Sequence, residues 1–340
     1  MDVIEKFLKE VSWKFDKGYP DITNEQDILM LEYLLEKIGI DIYDNILEEE
    51  VKGKATLFEA ALVKAWYEIN EKPIPEGAIP QKDLEALTTD IVEDAKGILK
   101  QTGLTGGSEA KQIGASALDT TEFWKTHGAI NKTPKTDIII DNKKISLKVG
   151  PSQLMSGAGN ELSATFYAAL NNSPNTEKEL VNTITDSIKK VFVRGTTKSG
   201  NVRQAKQKGD DPLLSQAVEE MGKLKNTIQT FFETNPNFLT EFAYEAATGQ
   251  QKFGGNEGTA DYVLAISSNY KKGTLHKIDK SYAKEIANKM KLDINMKSGS
   301  QKIKGIKTGK YNYYTVLRAG LSDLFKDASD DIDIDNEIKL

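Results

Sequence analysis

The side chains with the clearest chemical potential in this sequence are a carboxylate and an ammonium, those of Asp137 and Lys148. A carboxylate binds Mg²⁺ through its oxygens, and a neighbouring ammonium can orient, or help to deprotonate, the water that attacks phosphorus. The ammonium also offsets the negative charge that develops on the attacked phosphate. If the fold brings these two side chains together, they suit metal-assisted hydrolysis of a phosphodiester.

The chain around this pair has the pattern of a β-hairpin. Thr136–Ile140 and Lys144–Val149 are short runs rich in β-forming residues. Asp141-Asn142 between them is typical of a turn that requires unusual backbone angles. We therefore predict two antiparallel strands joined by a tight turn, followed by a break at Gly150-Pro151.

The length of the loop decides whether Asp137 and Lys148 share a face of the hairpin. With a two-residue loop, Asp137 stands opposite Ser146, and Lys148 lies further along the same face. A four-residue loop pairs Asp137 with Lys148 directly, whereas a three-residue loop separates them unless a bulge restores the alternation. The simpler alternative is an exposed cross-strand ion pair, worth roughly a few tenths of a kcal/mol.

Asp137 followed by Ser146-Leu147-Lys148 resembles the PD-(D/E)xK nuclease superfamily, in the variant in which serine replaces the middle acid. Certain restriction endonucleases of that variant supply the missing carboxylate from a Glu on the following helix, twelve or thirteen residues after the Lys. Twelve residues separate Lys148 from Glu161 in this chain. The resemblance implies that Asp137 and Glu161 bind metal and that Lys148 is the catalytic lysine. The first Asp of those enzymes lies further upstream, and the spacing here is closer to that of resolvase-like and phage exonuclease-like members.

The resemblance implies two further site residues. Gln153 matches a Gln that many nucleases of the superfamily carry on the next helix. A Glu on the helix before the hairpin often completes the metal shell, and we predict a helix from Ser108 to about Thr126 that carries Glu109 and Glu122. Glu122 is the better candidate because it is nearer to the hairpin. The implied cofactor is Mg²⁺, with Mn²⁺ as a substitute.

A second cluster is an alternative catalytic centre. Glu245 ends a predicted helix, Asp261 begins the predicted buried strand Ala260–Ile266, and Lys297 lies in another predicted strand. Their order along the chain repeats the order of the first site. The cluster could be the catalytic centre itself, or a clamp that holds substrate beside the first site.

Composition excludes several classes of chemistry. The sequence has no cysteine, which rules out disulfides, zinc-thiolate sites, iron–sulfur clusters and thiol catalysis. His127 and His276 are the only histidines, so a His-rich metal site or a serine-type triad is not expected. No run approaches the ~18 apolar residues that span a bilayer, and the amino terminus lacks the features of a signal peptide. We expect a cytoplasmic protein without membrane contact.

The distribution of charge favours a nucleic-acid partner, although the formal net charge of the chain is −6. Residues 1–100 contain 23 acidic and 12 basic residues, whereas residues 101–326 carry a net charge of about +10. Within the second range, 189–208 forms a basic loop without any acid. Its basic residues are Lys189, Lys190, Arg194, Lys198, Arg203, Lys206 and Lys208. We predict that this loop contacts double-stranded DNA; a solvated basic loop is the alternative.

The predicted architecture is α/β, a restriction-endonuclease-like mixed sheet flanked by helices, with an N-terminal all-helical lobe. The lobe is assigned to residues 1–101, the nuclease-like domain to 102–326, and an acidic disordered tail to 327–340. Apolar residues at three- and four-residue spacing predict helices at Ile28–Leu35 and Leu57–Tyr67. The acidic lobe is expected to serve structure, partner contact or the formation of a homodimer.

Two functions follow from these patterns. The first is a Mg²⁺-dependent DNA endonuclease that hydrolyses phosphodiester bonds. Its biological role stays open among phage-encoded, defence-related and repair enzymes. The second is a catalytically inactive nucleic-acid-binding or phage structural protein that keeps a nuclease-like fold, in which Asp137 and Lys148 merely pair. Dependence on Mg²⁺ separates the two.

Overall fold

The structure is a computed structural model. The chain forms two compact units, residues 1–53 and residues 54–340. The structure describes residues 47–113, 118–150, 153–157, 159–191, 196–197, 212–289, 291–303 and 306–320. The predicted helix Ile28–Leu35 and the acidic tail 327–340 lie outside the described residues. The account below therefore concerns the second unit and the helix that leads into it.

Helices and strands are mixed along the described chain. The helices are α1 (Leu47–Ile69), α2 (Gln81–Glu85), α3 (Thr89–Thr102), α4 (Glu122–Thr126), α5 (Gly159–Asn171), α6 (Lys178–Val191), α7 (Pro212–Thr234), α8 (Pro236–Thr248), α9 (Gln250–Phe253) and α10 (Lys280–Lys289). The strands are β1 (Ala110–Gln112), β2 (Ile138–Ile140), β3 (Lys143–Val149), β4 (Gln153–Gly157), β5 (Thr196–Thr197), β6 (Tyr262–Ile266), β7 (Gly273–Lys277), β8 (Lys291–Ile303) and β9 (Ile306–Gly320). In the described ranges, no helix is both long and apolar enough to cross a membrane.

A five-stranded mixed sheet lies at the centre of the second unit. Its strand order is β1-β2-β3-β6-β7. Neighbouring strands are antiparallel except β3 and β6, which run parallel. The chain between these two parallel strands contains helices α5 to α9, because a parallel connection must return to the starting end of the sheet. The mixed α/β sheet flanked by helices is thus confirmed.

The hairpin of β2 and β3 has the two-residue loop that brings Asp137 and Lys148 to one face. Ile140 pairs with Lys143, which leaves Asp141 and Asn142 as the loop. Both loop residues have positive φ, 47° at Asp141 and 62° at Asn142. Two consecutive positive φ angles define a type I′ turn, whose twist matches that of the flanking strands. The predicted hairpin and its register are confirmed.

Two hydrophobic cores cover the two faces of this sheet. Helices α1 and α3 pack on the first face. The buried side chains there include Phe58 and Trp66 of α1, Ile98 of α3, and Ile138 and Ile140 of β2. Helices α5 to α8 and α10 build the second core around Phe166. Strand residues alternate between the cores, since Leu264 belongs to the first and Val263 to the second. Full burial of side chains of this size stabilises the fold by roughly 1.5–3 kcal/mol each.

Helices α1 and α3 share a core with the sheet, so the predicted boundary after residue 101 is wrong. Their apolar stripes are buried against β2 rather than inside a separate lobe. The division by compactness falls instead between Gly53 and Lys54. The helix predicted at Leu57–Tyr67 is confirmed as part of α1.

The single helix predicted from Ser108 to about Thr126 is also wrong. Ala110–Gln112 forms strand β1, because it pairs with β2 and extends the hairpin by one strand. A short helix, α4, begins only after Thr121, whose hydroxyl accepts a hydrogen bond from the backbone N–H of Trp124. The tertiary pairing thus overrides the local helix signal.

We expect Asn142→Val to lower the free energy of unfolding by about 1–2 kcal/mol, because left-handed backbone disfavours L-residues by that amount, and β-branched residues most. Asn142→Gly should be neutral or stabilising, because glycine adopts positive φ freely. Urea unfolding followed by circular dichroism measures both changes. A valine variant as stable as the wild type would contradict the type I′ turn.

Candidate active site

Asp137 and Lys148 lie at one end of the central sheet. Asp137 immediately precedes β2, and Lys148 lies near the end of β3, beside Ala265 of the parallel strand β6. Gln112 ends β1 at the same place, since it pairs with Ile138. Three strands therefore bring polar side chains to the end of the sheet where β3 and β6 finish.

Hydrogen bonds across the hairpin fix the Asp137 carboxylate. Its Oδ2 accepts a bond from the backbone N–H of Leu147 at 2.6 Å and from the Ser146 hydroxyl at 3.3 Å. The backbone N–H of Asp137 also donates to the carbonyl of Ile145 at 2.9 Å. The predicted position of Asp137 opposite Ser146 is confirmed, and the serine acts as a donor that orients the aspartate.

Burial is the largest influence on the charge of Asp137. The loss of solvation raises the pKa of Asp137, while the Lys148 ammonium and the Leu147 N–H bond act in the opposite direction. Burial prevails, so the pKa stays above the usual value of an aspartate. A cation bound to this carboxylate would restore its ionised form.

Glu59 of α1 is a member of this site that sequence reasoning missed. Only 7% of Glu59 is exposed, and its Oε2 accepts a hydrogen bond from Gln112 Nε2 at 3.2 Å. Burial, helped by the nearby charge of Asp137, raises the pKa of Glu59 to about 9, although Lys148 lowers it. The available signal was a glutamate inside the apolar run Leu57–Tyr67, where an unpaired charge is unfavourable.

Glu161 lies in the first turn of α5, the helix that follows the hairpin and β4. It is buried, and its Oε1 is 3.7 Å from the ammonium of Lys252. That ammonium also donates to the carbonyl of Thr133 at 3.1 Å and to Asn131 Oδ1 at 3.4 Å. Glu161 therefore has a lysine partner of its own in the described structure.

Lys135 is near enough to Lys148 and Lys252 for both of their charges to act on it. It is half-buried, and its ammonium donates to the carbonyl of Leu154 at 3.3 Å. Burial, together with the charges of Lys252 and Lys148, lowers the pKa of Lys135 to about 7. The charges of carboxylates, including Glu161, act in the opposite direction. Sequence reasoning missed this lysine too, because nothing local marks it as buried.

Glu122 does not lie with these groups. Its side chain is 81% exposed at the start of α4, where it lies 3.9 Å from Lys125. Its predicted place depended on a long helix leading into the hairpin, and that helix is absent from the described residues. The prediction that Glu122 completes the metal shell is therefore wrong.

Glu245 and Asp261 of the alternative centre each have a different partner in the described residues. The carboxylate of Glu245 accepts bonds from two backbone N–H groups of α9 at 2.8 and 3.1 Å, and burial raises its pKa to about 7. Asp261 instead pairs with Lys144 of β3 at 3.4 Å. The side chain of Lys297 lies outside the described residues. The Glu245 carboxylate thus stabilises the turn that leads into α9.

Gln153 begins strand β4 and not a helix, so its predicted location is wrong. The segment pairs with β9, and the helix begins only at Gly159. The side chain of Gln153 is outside the described part of the chain, and its role stays a prediction.

The predicted DNA-binding loop lies largely outside the described residues. Lys189 and Lys190 fall in the last turn of α6, but their side chains are not described. Arg194, Lys198, Arg203, Lys206 and Lys208 are not described at all. Contact between this loop and DNA stays a prediction.

Asp137 and Glu59 are the donors that best fit a divalent cation. Within the described ranges, no group of three or more Asp, Glu or His residues is placed to hold a metal ion. Mg²⁺, however, is commonly bound by one or two carboxylates, with water and substrate phosphate filling the remaining positions. A buried glutamate whose pKa is raised beside another carboxylate suits this role, because a cation would stabilise the charges of both.

Comparison of the chain with models of protein families, with curated proteins and with solved structures found no match.

In metal-free buffer, we expect Glu59→Gln to make stability less dependent on pH between pH 5 and 7. Folded Glu59 keeps its proton up to about pH 9, whereas the unfolded chain releases it near 4.5. The folded state then binds more protons, so the free energy of unfolding falls as pH rises. The substitution should reduce this slope by up to about 1.4 kcal/mol per pH unit, measured by urea unfolding.

The measurement with Glu59→Gln is limited to pH 7 and below, because above pH 7 Lys135 makes the free energy of unfolding rise with pH. Its pKa is about 7 in the folded protein and near 10.5 when unfolded, so its contribution to stability rises with pH between these values. Glu122→Gln, at an exposed position, is the matched control and should leave the slope unchanged. An unaltered slope in Glu59→Gln would show that Glu59 is not buried as a neutral acid.

Proposed function

We propose that the protein is a Mg²⁺-dependent nuclease that hydrolyses phosphodiester bonds of DNA at the end of β3. The observation that carries the proposal is the hairpin that fixes Asp137 on the same face as Lys148. A second buried carboxylate, Glu59, is close enough for both of these charges to influence its pKa. This arrangement differs from an exposed cross-strand ion pair, since Glu59 is buried and Asp137 and Lys148 are half-buried.

The topology of the sheet supports a restriction-endonuclease-like fold as part of this proposal. Three antiparallel strands, β1 to β3, are followed by a helical crossover to the parallel strand β6. Helix α1 covers one face, and α5 the other. This is a mixed sheet flanked by helices, as the resemblance of the Ser-Leu-Lys hairpin implies.

Each side chain of the site has a distinct role in the proposed reaction. Asp137 and Glu59 would hold Mg²⁺, which supplies a Lewis acid and makes a bound water more acidic. Ser146 and the Leu147 N–H keep Asp137 in one orientation, and Gln112 does the same for Glu59. Lys148 positions the attacking water and offsets charge on the phosphate.

Glu161 takes a positioning role in this proposal, where the sequence suggested a metal ligand. Its pairing with Lys252 joins the first turn of α5 to α9, and its charge raises the pKa of Lys135 against the effect of burial. The positive charge of residues 101–326 favours a phosphate-rich substrate. Double-stranded DNA, a homodimer and a cytoplasmic location remain predictions of the sequence.

One observation favours the second candidate, an inactive nucleic-acid-binding or phage structural protein. No third carboxylate joins Asp137 and Glu59 to form a metal-holding group in the described residues. The affinity of such a protein for DNA would depend little on Mg²⁺. Cleavage assays with and without the metal therefore separate the candidates.

Lys148→Ala and Asp137→Asn should each reduce DNA cleavage by roughly a hundredfold or more, because each removes a charge aimed at the reacting phosphate or its metal. Supercoiled and linear duplex DNA, with Mg²⁺ or with EDTA, are the substrates and conditions. Lys143→Ala is the matched control, since Lys143 lies on the same strand, alternates to the other face and pairs with the loop residue Asp141 at 3.8 Å. Cleavage that survives Lys148→Ala would place the centre elsewhere, and a failure to cleave any nucleic acid would favour the binding protein.

Binding of Mg²⁺ or Mn²⁺ should release up to about one proton per ion at pH 8, because Glu59 is still largely protonated there without metal. Isothermal titration calorimetry in buffers of different ionisation enthalpy measures this release. Asp137→Asn and Glu59→Gln should abolish both binding and release, while Glu122→Gln should behave as the wild type. Undiminished binding in Glu59→Gln would contradict its role as a ligand.

A further inference from the structure

A cavity of about 610 Å³ opens between α4, α5 and α6, outside the residues of the proposed active site. Residues that line it include Phe123, His127, Tyr167, Asn171, Lys178 and Asn182. Its volume falls in the range of sites that take small organic ligands. Among the described residues, the lining combines aromatic rings, amides and the ammonium of Lys178, without a carboxylate.

Aromatic rings form one wall of this cavity. The His127 ring lies between Phe123 and Tyr167, with ring centroids 4.5 and 4.4 Å apart. The successive rings are tilted by 47° and 36°. Rings this close contact one another, so the free π-surface of the row lies at its ends, on Phe123 and Tyr167. Stacking of a planar ligand on such a ring does not require a particular ring substituent.

Hydrogen bonds among the lining residues leave two polar groups able to bond a ligand, the amide N–H of Asn182 and the Nε2 of His127. The Tyr167 hydroxyl donates to Asn182 Oδ1 at 3.1 Å and also contacts Thr185 Oγ1 at 3.0 Å. With its oxygen engaged, Asn182 has its amide N–H groups left to donate. His127 Nδ1 lies 2.8 Å from the carbonyl of Phe123, which can only accept, so Nδ1 is the donor. In neutral His127 the other nitrogen, Nε2, is therefore an acceptor.

The cation of the cavity is Lys178, at the start of α6. Its side chain is exposed, so the ammonium is free to pair with an anionic group at the mouth of the cavity. A planar heterocycle with hydrogen-bonding edges and an attached anion matches the three features together. That combination is the chemistry of a nucleotide.

We propose that this cavity binds a nucleoside monophosphate group. The base stacks on Tyr167 at one end of the ring row, the neighbouring Asn182 donates to the edge of the base, and Lys178 pairs with the phosphate. The group could come from a free mononucleotide or from one nucleotide of a single strand, and the chemistry of recognition is the same. The inference does not depend on the proposed nuclease activity, since none of its residues belongs to the Asp137 site.

Titration calorimetry in EDTA with AMP, adenosine, inorganic phosphate and a short oligodeoxyadenylate tests the proposal. AMP should bind saturably and at least about tenfold more tightly than adenosine or phosphate alone. Tighter binding of the oligonucleotide than of AMP would identify a strand as the source, and the reverse would identify a free nucleotide. Both results support the site.

Three variants and one control assign the binding to this cavity. His127→Ala removes the ring that packs against Tyr167 and holds it in place, and should weaken AMP binding at least about tenfold. Asn182→Asp keeps the acceptor for Tyr167 but replaces the donor by a negative charge, so it should weaken binding without loss of shape. Lys178→Ala should remove the preference for AMP over adenosine. Lys125→Ala removes an equal charge from α4 outside the cavity lining and should change nothing.

The absence of saturable binding by AMP and by the oligonucleotide at millimolar concentration would overturn the proposal. So would binding that Asn182→Asp leaves unchanged while circular dichroism shows the fold intact. Binding is repeated with Lys148→Ala, which keeps the cavity and removes the proposed catalysis. Nucleotide binding without cleavage would reject only the nuclease, and cleavage without nucleotide binding would reject only the cavity.

Discussion

The register of the β2–β3 hairpin is the constraint on which the rest of the site depends. Two residues with positive φ, Asp141 and Asn142, close the loop and set which residues face each other. The alternation of a strand has a period of two, so a slip of one position would turn Ser146 and Lys148 to the opposite face. The hydrogen bonds from Ser146 and Leu147 then hold Asp137 in place only because the register is correct.

Buried charges surround this hairpin in a connected arrangement. Glu59 and Asp137 form an acidic region, Lys135 and Lys148 a basic one, and Glu161 pairs with a further lysine beyond them. Burial of an ionisable group is unfavourable unless a partner or a shifted pKa compensates for it. Two opposite shifts, upward for Glu59 and downward for Lys135, show that both compensations operate here. Such departures from a purely apolar interior are expected at functional sites.

Helix α5 connects this charged region with the aromatic cavity. Glu161 in its first turn faces the lysine network, whereas Tyr167 later in the helix joins the wall of stacked rings. Phe166, next to Tyr167, is fully buried in the second core and fixes the helix against the sheet. Helix α5 thus contributes Glu161 to the charged region, Phe166 to the second core and Tyr167 to the wall of the cavity.

The sequence alone determined the hairpin and its Asp141-Asn142 turn, because turn chemistry and strand alternation are local properties. The structure then selected the two-residue loop, which places Asp137 and Lys148 on one face, from the three loop lengths that the sequence allowed. The family resemblance also implied that Glu161 lies on the helix after the hairpin, and the structure places it in the first turn of that helix. Only the tertiary structure revealed Glu59 and Lys135 as site residues and removed Glu122 from the site. The reason is physical: burial, and the long-range pairing of α1 with the sheet and of Lys252 with Glu161, depend on contacts between distant segments that no local pattern encodes.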